Sequence, residues 1–378
     1  MNVGGILGRM NEMKSMRDQV ASIAGRLMAQ PAVAYQESRV AAVVREICDG
    51  NGLPHHTDKF GNIHIRTAAG SGNHKSRRPI CFVAHMDHPG FEVVSGNREK
   101  NALKVRFLGG VPDRYFVPGT PVTAWPGNIK GTLGEKLPGR KIYRVHIPDG
   151  YAGKPELVVW DLRNFQKKGD RIHGRACDDL MGLSAMLAGL IAHAQAGGSS
   201  SVQGLVTRAE EVGFQGALAC ASSGILPSDG LYISLETSKE LPPVKMGKGV
   251  IIRTGDRLSQ FDSQGVYFLT RVAEDLAGKD SSFKFQKALM PGGACEATAF
   301  SHCGLTSAAM CIPLGNYHNC GPGDRISEEF VSLSDASGMA DMVLASGNLI
   351  DRFDHYSNEA RKRLDTLTSE AISKLTSK

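Results

Sequence analysis

The chain has 378 residues and a formal net charge of +6, with 41% hydrophobic and 22% charged residues. This composition is typical of a folded globular protein with two or three domains. The basic residues are scattered, and no segment approaches the roughly 18 consecutive apolar residues of a membrane span. We therefore expect neither nucleic acid nor a membrane as a partner.

The first part of the chain predicts helices followed by strands. Residues 17–47 have helical spacing of apolar residues with a break near Pro31, and "DGNG" ends the pattern. "NIHIRT" and "PICFVAH" are typical of strands. Because the second run is almost wholly apolar, we expect it at the centre of a sheet that is covered on both faces.

A different pattern begins near residue 94. Short alternating runs such as "KVRFLGG", "KIYRVHI" and "ELVVWDL" are separated by Gly, Pro, Asn and Asp. This pattern predicts a small antiparallel β-barrel domain over residues 94–167. It would be inserted between the two parts of a main domain, residues 1–93 and 168–378.

Helices and strands alternate again after the insertion. "LMGLSAMLAGLIAHAQA" predicts a helix, "SVQGLVT", "GLYISLE" and "GVIIRTG" predict strands, and the chain from Val331 onwards is typical of helix. Such alternation indicates an α/β fold with a largely parallel sheet flanked by helices.

The cysteines and the N-terminus favour a reduced, cytoplasmic protein. None of the eight cysteines forms a Cys-x-x-Cys pair, and several, such as Cys311 in "AMCIPL", lie in apolar runs. The first 19 residues are charged throughout and lack the apolar core and cleavage site of a leader segment.

Acidic residues and histidines recur where predicted strands end. In open α/β sheets, ligands bind beyond the carboxyl ends of the strands. Four groups follow apolar strands and a fifth group, an Asp pair, opens a helix: His85 with Asp87, Glu210 with Glu211, Glu236, His318, and Asp178 with Asp179.

Each group has a simpler explanation when it is taken alone. A single histidine at a strand end is usually an ordinary loop residue, and Asp178 and Asp179 could cap the following helix. All five groups together favour a site for two metal ions, with zinc or cobalt suited to nitrogen and oxygen donors. Such a site needs one bridging carboxylate and one carboxylate left free as general base. We expect Asp87 to accept the second ring N–H of His85.

The motifs "HMDHPGF", "ACDDLMG", "RAEEVGFQGA" and "NYHNCGP", with the early "FGN", resemble the glutamyl aminopeptidase and deblocking aminopeptidase (TET) family. The resemblance covers nearly the whole chain and implies a zinc-exopeptidase-like sheet, peptide substrates and a homo-oligomer, either a dimer or a dodecamer. It also implies that the inserted β domain carries dimer contacts.

The resemblance also implies a role for each site residue. One metal would be bound by His85 and Glu236 and the second by Glu211 and His318. Asp178 would bridge the two metals. Glu210 would be the general base, and Asp87 would orient His85.

Three positions depart from the family pattern. His88 stands where the family usually has an acidic residue, and Glu236 and Glu296 each stand where it usually has Asp. We expect these changes to alter the pocket wall and the choice of substrate.

Three other functions stay open at this point. A related zinc amidohydrolase, such as a dipeptidase or an N-acyl amino acid deacylase, would share the ligand set. A non-catalytic assembly protein would be free to lose it. A polysaccharide hydrolase with paired carboxylates would leave His85 and His318 without a role.

Overall fold

The computed structural model describes residues 15–67, 78–97, 101–148, 154–198 and 201–376. The first 14 residues, which contribute to the expectation that no leader segment is present, lie outside this described part.

The N-terminal part contributes two helices and three strands to the main domain. Helices α1 (Met16–Met28) and α2 (Ser38–Gly50) are separated by a turn that contains Pro31, as the sequence predicts. The strands are β1 (His55–Thr57), β2 (Ile63–Arg66) and β3 (Ile80–His85). Every residue of β3 is buried, which agrees with the prediction of a central strand.

Six antiparallel strands then close into a barrel, in the order β4-β5-β8-β7-β6-β9. These strands are β4 (Gly90–Asn97), β5 (Ala102–Leu108), β6 (Pro121–Trp125), β7 (Ile129–Leu137), β8 (Ile142–His146) and β9 (Leu157–Trp160). The predicted small antiparallel barrel is confirmed. Because only residues 86–89 join β3 to β4, the barrel is tied closely to the end of the central strand.

An aromatic cluster fills the barrel. The ring of Phe91 meets those of Phe107 and Trp160 edge to face, with centroids 4.9 and 5.0 Å apart. Phe116 stacks on Tyr143 with centroids 4.6 Å apart. A separate hydrophobic core of this kind is the property of a domain.

The remaining elements return to the main domain. In chain order they are β10 (Phe165–Lys168), β11 (Arg171–Gly174), α3 (Leu180–Gln195), β12 (Val202–Thr207), α4 (Gln215–Ser222), β13 (Leu231–Lys239), β14 (Val250–Gly255), α5 (Ser263–Lys279), β15 (Phe285–Leu289), α6 (Glu296–His302), β16 (Thr306–Leu314), β17 (Glu329–Ser332), α7 (Leu333–Leu349) and α8 (Phe353–Thr376). The sequence does not predict helix α6 or the strands β1, β10, β11, β15 and β17.

The main sheet has the order β1-β2-β12-β3-β13-β16-β14-β15 and is mixed. The central strands β12, β3, β13 and β16 are parallel to their neighbours in this group, but β1, β2 and β14 introduce antiparallel pairs. The expectation of a largely parallel sheet therefore holds for the centre alone. At one edge the reason is local: a short turn joins β1 to β2, and strands joined in this way pair antiparallel.

Two further features concern the surface and the thiols. No helix among the described residues is long and apolar enough to cross a bilayer. All eight cysteines fall within the described ranges and are free.

Helix α8 leaves the body of the protein after Tyr356, beyond which its described side chains are exposed.

Candidate metal centre

The predicted site residues meet beyond the carboxyl ends of the central strands. His85 is the last residue of β3 and lies beside Thr207, the last residue of β12. Glu210 and Glu211 lie in the turn after β12, three and four residues beyond its end. Glu236 lies in β13, the other neighbour of β3. The parallel register of these strands brings side chains that are distant in sequence to one edge of the sheet.

Asp178 lies between the two histidines and faces each of them with a different oxygen. Its Oδ1 is 3.5 Å from Nε2 of His85, and its Oδ2 is 3.5 Å from Nε2 of His318. The Oε2 atom of Glu211 is 3.3 Å from the same nitrogen of His318. This is the arrangement expected of a carboxylate that bridges two ions.

Two more carboxylates lie near Nε2 of His85. Oε2 of Glu210 lies 3.8 Å and Oε2 of Glu236 lies 3.9 Å from Nε2 of His85. These distances are too long for hydrogen bonds. The Glu236 distance suits two donors that share an ion, because zinc holds each nitrogen or oxygen ligand at about 2 Å.

Several buried carboxylate oxygens of the centre lack a hydrogen-bond donor among the described residues. They are Oδ1 of Asp178, Oε1 of Glu211 and both carboxylate oxygens of Asp179. Burying an unpaired charge costs free energy, so a bound cation would stabilise these oxygen atoms. The donor set, which is rich in carboxylates and includes two imidazoles, fits divalent metal ions.

The second residue of the Asp pair also belongs to this centre. Oxygens of Asp178, Asp179 and Glu236 lie close enough to hold one ion. Asp179 stands at the N-cap of α3 but makes no capping hydrogen bond through its side chain, so capping does not explain it. A side chain at position 182 would collide with the carboxylate of Asp179, so the arrangement requires glycine there.

The carboxylate of Asp87 holds the turn after β12. It accepts hydrogen bonds from the backbone N–H groups of Glu210 at 2.9 Å and of Glu211 at 3.1 Å. We expected this carboxylate to accept the ring N–H of His85. Instead, Nδ1 of His85 is 3.0 Å from the main-chain oxygen of Asp87, while the carboxylate is 3.6 Å away. Asp87 therefore orients the histidine through its backbone and the glutamates through its side chain.

Glu329 is a supporting residue that the sequence reasoning missed. Its carboxylate is fully buried and accepts the N–H groups of Cys177 and Asp178 at 2.8 and 3.1 Å. The other oxygen accepts the N–H of His318 at 2.8 Å. One side chain thus holds the backbone of both Asp178 and His318. The Glu328–Glu329 pair before an apolar strand was the available signal.

His88 is a buried support rather than part of the cavity wall. Its Nδ1 donates to the main-chain oxygen of Asp178 at 2.6 Å, and its Nε2 lies 3.1 Å from the side-chain oxygen of Asn319. Asn319 in turn donates to the main-chain oxygens of Arg175 and Ser327. The expectation that His88 shapes the pocket wall is wrong, since His88 does not line the cavity and its ring holds the backbone of Asp178.

Glu296 has a similar supporting position in the first turn of α6. It is fully buried and accepts hydrogen bonds from Thr207 at 2.6 Å and Ser234 at 2.9 Å. These residues belong to β12 and β13, so Glu296 ties two strands together behind the centre. The expectation that Glu296 alters the pocket wall is also wrong.

The electrostatics reflect the crowding of buried acids. Burial raises the pKa of Glu210 well above its usual value; the charge of His85 opposes this shift and neighbouring acids such as Glu211 add to it. Burial also raises the pKa of Glu236, with Glu296 and Glu210 adding to the shift. For Asp178, burial acts in the same direction, but His318 and His85 outweigh it and hold the pKa below its usual value.

A cavity opens on the centre from one side. Among its lining residues are His85, Asp178, Glu210, Glu236 and His318. The wall beyond them carries the basic side chains of Lys239 and Arg253 and the ring of Tyr317. The Arg253 side chain is buried, and its Nε has no hydrogen-bond partner within the described part of the chain.

Residues 154–324 match the family model of the M42 glutamyl aminopeptidases. This stretch includes every predicted metal ligand except His85, and it includes Glu210.

Solved structures share the fold over most of the chain. An aminopeptidase from the archaeon Desulfurococcus kamchatkensis is 22% identical with a TM-score of 0.71, covering 89% of this chain and 98% of that one. The TET1 peptidase of Pyrococcus horikoshii is 19% identical with a TM-score of 0.69, covering 87% and 99%. An endoglucanase from Thermotoga maritima is 21% identical with a TM-score of 0.61, covering 87% and 99%.

At these identities the structural likeness establishes the fold. The match of residues 154–324 to the family model confirms the resemblance that the motifs predict.

Proposed function

We propose that this protein is a metal-dependent aminopeptidase that removes N-terminal residues from peptides. The observation that carries the proposal is the position of Asp178, with one oxygen directed at each histidine in a buried group of unpaired carboxylates. The family match supports a peptide bond as the target.

The proposed centre binds two divalent ions per chain, zinc or cobalt. We assign His85 and Glu236 to one ion, and Glu211 and His318 to the other, with Asp178 between them. The distances from Asp178 to both histidines support this division. Asp179 is a further candidate ligand on the Glu236 side.

We assign Glu210 as the general base. Its side chain lines the cavity, and its backbone N–H donates a hydrogen bond to the carboxylate of Asp87. The carboxylate would take a proton from the attacking water and pass it to the amine nitrogen of the leaving peptide. A glutamate whose pKa is raised by burial is suited to carry a proton in this way.

When bound, ions at such a centre activate water and polarise the scissile carbonyl group. The free α-amine of the substrate would lie at the acidic end of the cavity, which limits cleavage to the first residue of a peptide.

The cavity wall supports a preference for an acidic N-terminal residue. Lys239 and the buried Arg253 are the basic groups in the wall beside Glu236. A carboxylate side chain would satisfy the unpaired Nε of Arg253. We therefore propose that glutamyl or aspartyl peptides are better substrates than leucyl peptides.

One assay separates this function from its rivals. The metal-loaded protein should hydrolyse aminoacyl-p-nitroanilides and leave N-acetyl amino acids intact, and a chelator should abolish the activity until metal is restored. The reverse preference would favour an amidohydrolase. The Thermotoga maritima structure makes a polysaccharide worth including, although a carboxylate pair alone would not need the two histidines.

We also propose that the protein is a homo-oligomer, a dimer or dodecamer, in the cytoplasm. The Pyrococcus horikoshii peptidase can assemble into a tetrahedron or a large octahedral shell, which supports self-association. Helix α8 supports it too, because Leu364, Leu367, Ile372 and Leu375 are 63%, 51%, 59% and 80% exposed. Light scattering of the full chain and of a chain ending at Tyr356 would test both the assembly and the role of this helix.

A further inference from the structure

We propose that an open groove along the barrel binds the carboxylate-bearing part of the peptide beyond the scissile bond. The inference rests on the proposed aminopeptidase function. We call this surface the barrel groove. It has a volume of about 880 Å³ and is lined chiefly by β4, β5, the β7–β8 turn and the segment that holds Glu211 and Val212.

The cavity and the groove both include residues of the candidate centre. The cavity is lined by His85, Glu210 and Glu236, whereas Glu211 lines the groove. A peptide with its first residue in the cavity therefore passes the centre and continues towards the groove. Through Glu211, the groove includes a residue of the candidate centre.

The groove has an excess of positive charge. Four basic residues and two acidic residues line it: Lys104, Arg106, Arg140 and Lys141, with Glu92 and Glu211. This excess favours an anionic occupant. Carboxylates are the anionic groups of an unmodified peptide.

Two of the basic side chains are already engaged. Arg106 pairs with Glu92 at 2.9 Å, and Lys141 donates to the main-chain oxygen of Gly109 at 2.6 Å. Lys104 and Arg140 are exposed and have no acidic partner among the residues that the structure describes. These two side chains are free to receive a carboxylate.

The backbone positions both side chains on firm structure. Lys104 lies within β5 and is paired with Ser95 of β4 and Arg144 of β8. Arg140 lies in the tight turn between β7 and β8, beside Gly139, whose φ of +118° favours glycine. Because the barrel fixes both positions, a bound carboxylate meets groups that are already arranged.

The test compares peptides that differ only at the C-terminus. Tri- to hexapeptides with a free carboxylate and their C-terminal amides are assayed with the metal-loaded wild-type chain and with a Lys104→Ala/Arg140→Ala double variant. We expect the wild-type ratio of kcat/KM for acid over amide to fall roughly three- to tenfold in the variant, as for loss of two exposed ion pairs. Salt should lower the wild-type ratio in the same way.

A matched control is the Lys130→Ala/Lys136→Ala variant, which removes two exposed positive charges from the barrel outside the groove. It should keep the wild-type ratio. An unchanged ratio in Lys104→Ala/Arg140→Ala would overturn the inference, as would a change in oligomeric mass with no change in ratio, because the groove would then join copies of the chain. If the wild-type chain cleaves no peptide or aminoacyl-anilide, the proposed function itself fails.

Discussion

The candidate site has buried negative charge on its main-domain side and exposed positive charge on its barrel side. On the main-domain side, carboxylates such as Asp178 and Asp179 are buried, and several of their oxygens have no donor among the described residues. On the barrel side, Lys104 and Arg140 are exposed above an aromatic core. Charge interactions are strong where water is excluded and weak where it is present. Substitutions on the main-domain side should therefore have much larger effects.

The largest effect should come from the bridging residue. Asp178→Asn removes a negative charge from between the two histidines, and we expect loss of at least one bound ion and a fall in kcat of at least about 1000-fold. Metal analysis by inductively coupled plasma spectrometry and an aminoacyl-anilide assay measure the two effects.

Asp113→Asn is the control on the barrel, where Asp113 is exposed and pairs with Lys136 at 2.8 Å. It should retain both ions and full activity. An Asp178→Asn enzyme with wild-type metal content and rate would remove the basis for the contrast between the two sides.

Metal binding should release protons. Burial lowers the pKa values of His85 and His318, but the surrounding carboxylates outweigh it and raise both well above the usual value. An ion binds the neutral imidazole, so protonated histidines must first lose their protons. Affinity should therefore rise with pH and fall as the histidines become protonated.

Titration calorimetry of the metal-free protein in two buffers with different ionisation enthalpies measures this release. A binding enthalpy that is the same in both buffers would mean that no proton leaves, contrary to the expected coupling.

Glu329→Gln should have an intermediate effect, because Glu329 positions ligands without contacting the reacting atoms. We expect a loss of about 10- to 100-fold in metal affinity or kcat/KM, as for other residues that orient ligands. The neighbouring Glu328→Gln is the matched control, since Glu328 is partly exposed and lies 3.9 Å from Arg163. Saturating metal should restore part of the activity of Glu329→Gln. Equal effects of the two substitutions would contradict the role of Glu329 in positioning the ligands.

A smaller effect is expected from the exposed cation of the cavity wall. Lys239→Met should lower the ratio of kcat/KM for glutamyl- over leucyl-anilide by about threefold to fivefold, the effect of one screened ion pair. Lys248→Met, also exposed but outside the cavity lining, should leave the ratio unchanged. A fall in both rates without a change in ratio would contradict the proposed preference for acidic residues.

The sequence could predict the residues that face the candidate ions, because strand ends are visible as apolar runs followed by His, Asp or Glu. His85, Glu210 and Glu211 follow this pattern. The supporting residues could not be predicted in the same way. Glu329 acts on Asp178 across 151 positions of the chain, and His88 acts on it across 90. Such hydrogen bonds depend on tertiary packing and leave no local periodicity.

The same limit applies to the fold. The barrel was predictable because its short alternating strands include three pairs of consecutive strands, β4–β5, β6–β7 and β7–β8. The antiparallel position of β14 was not, because its pairing with β16 is decided by residues about 60 positions apart.

In the proposed function, two bound ions and Glu210 together perform the hydrolysis, and the variant Glu210→Gln separates their contributions. Glu210→Gln keeps the shape of the side chain but cannot accept a proton at neutral pH. We expect Glu210→Gln to bind about two ions per chain, as in the wild type, with a fall in kcat of roughly 1000-fold or more. A Glu210→Gln protein with near-wild-type turnover, or a metal-free wild type with full activity, would contradict the proposed function.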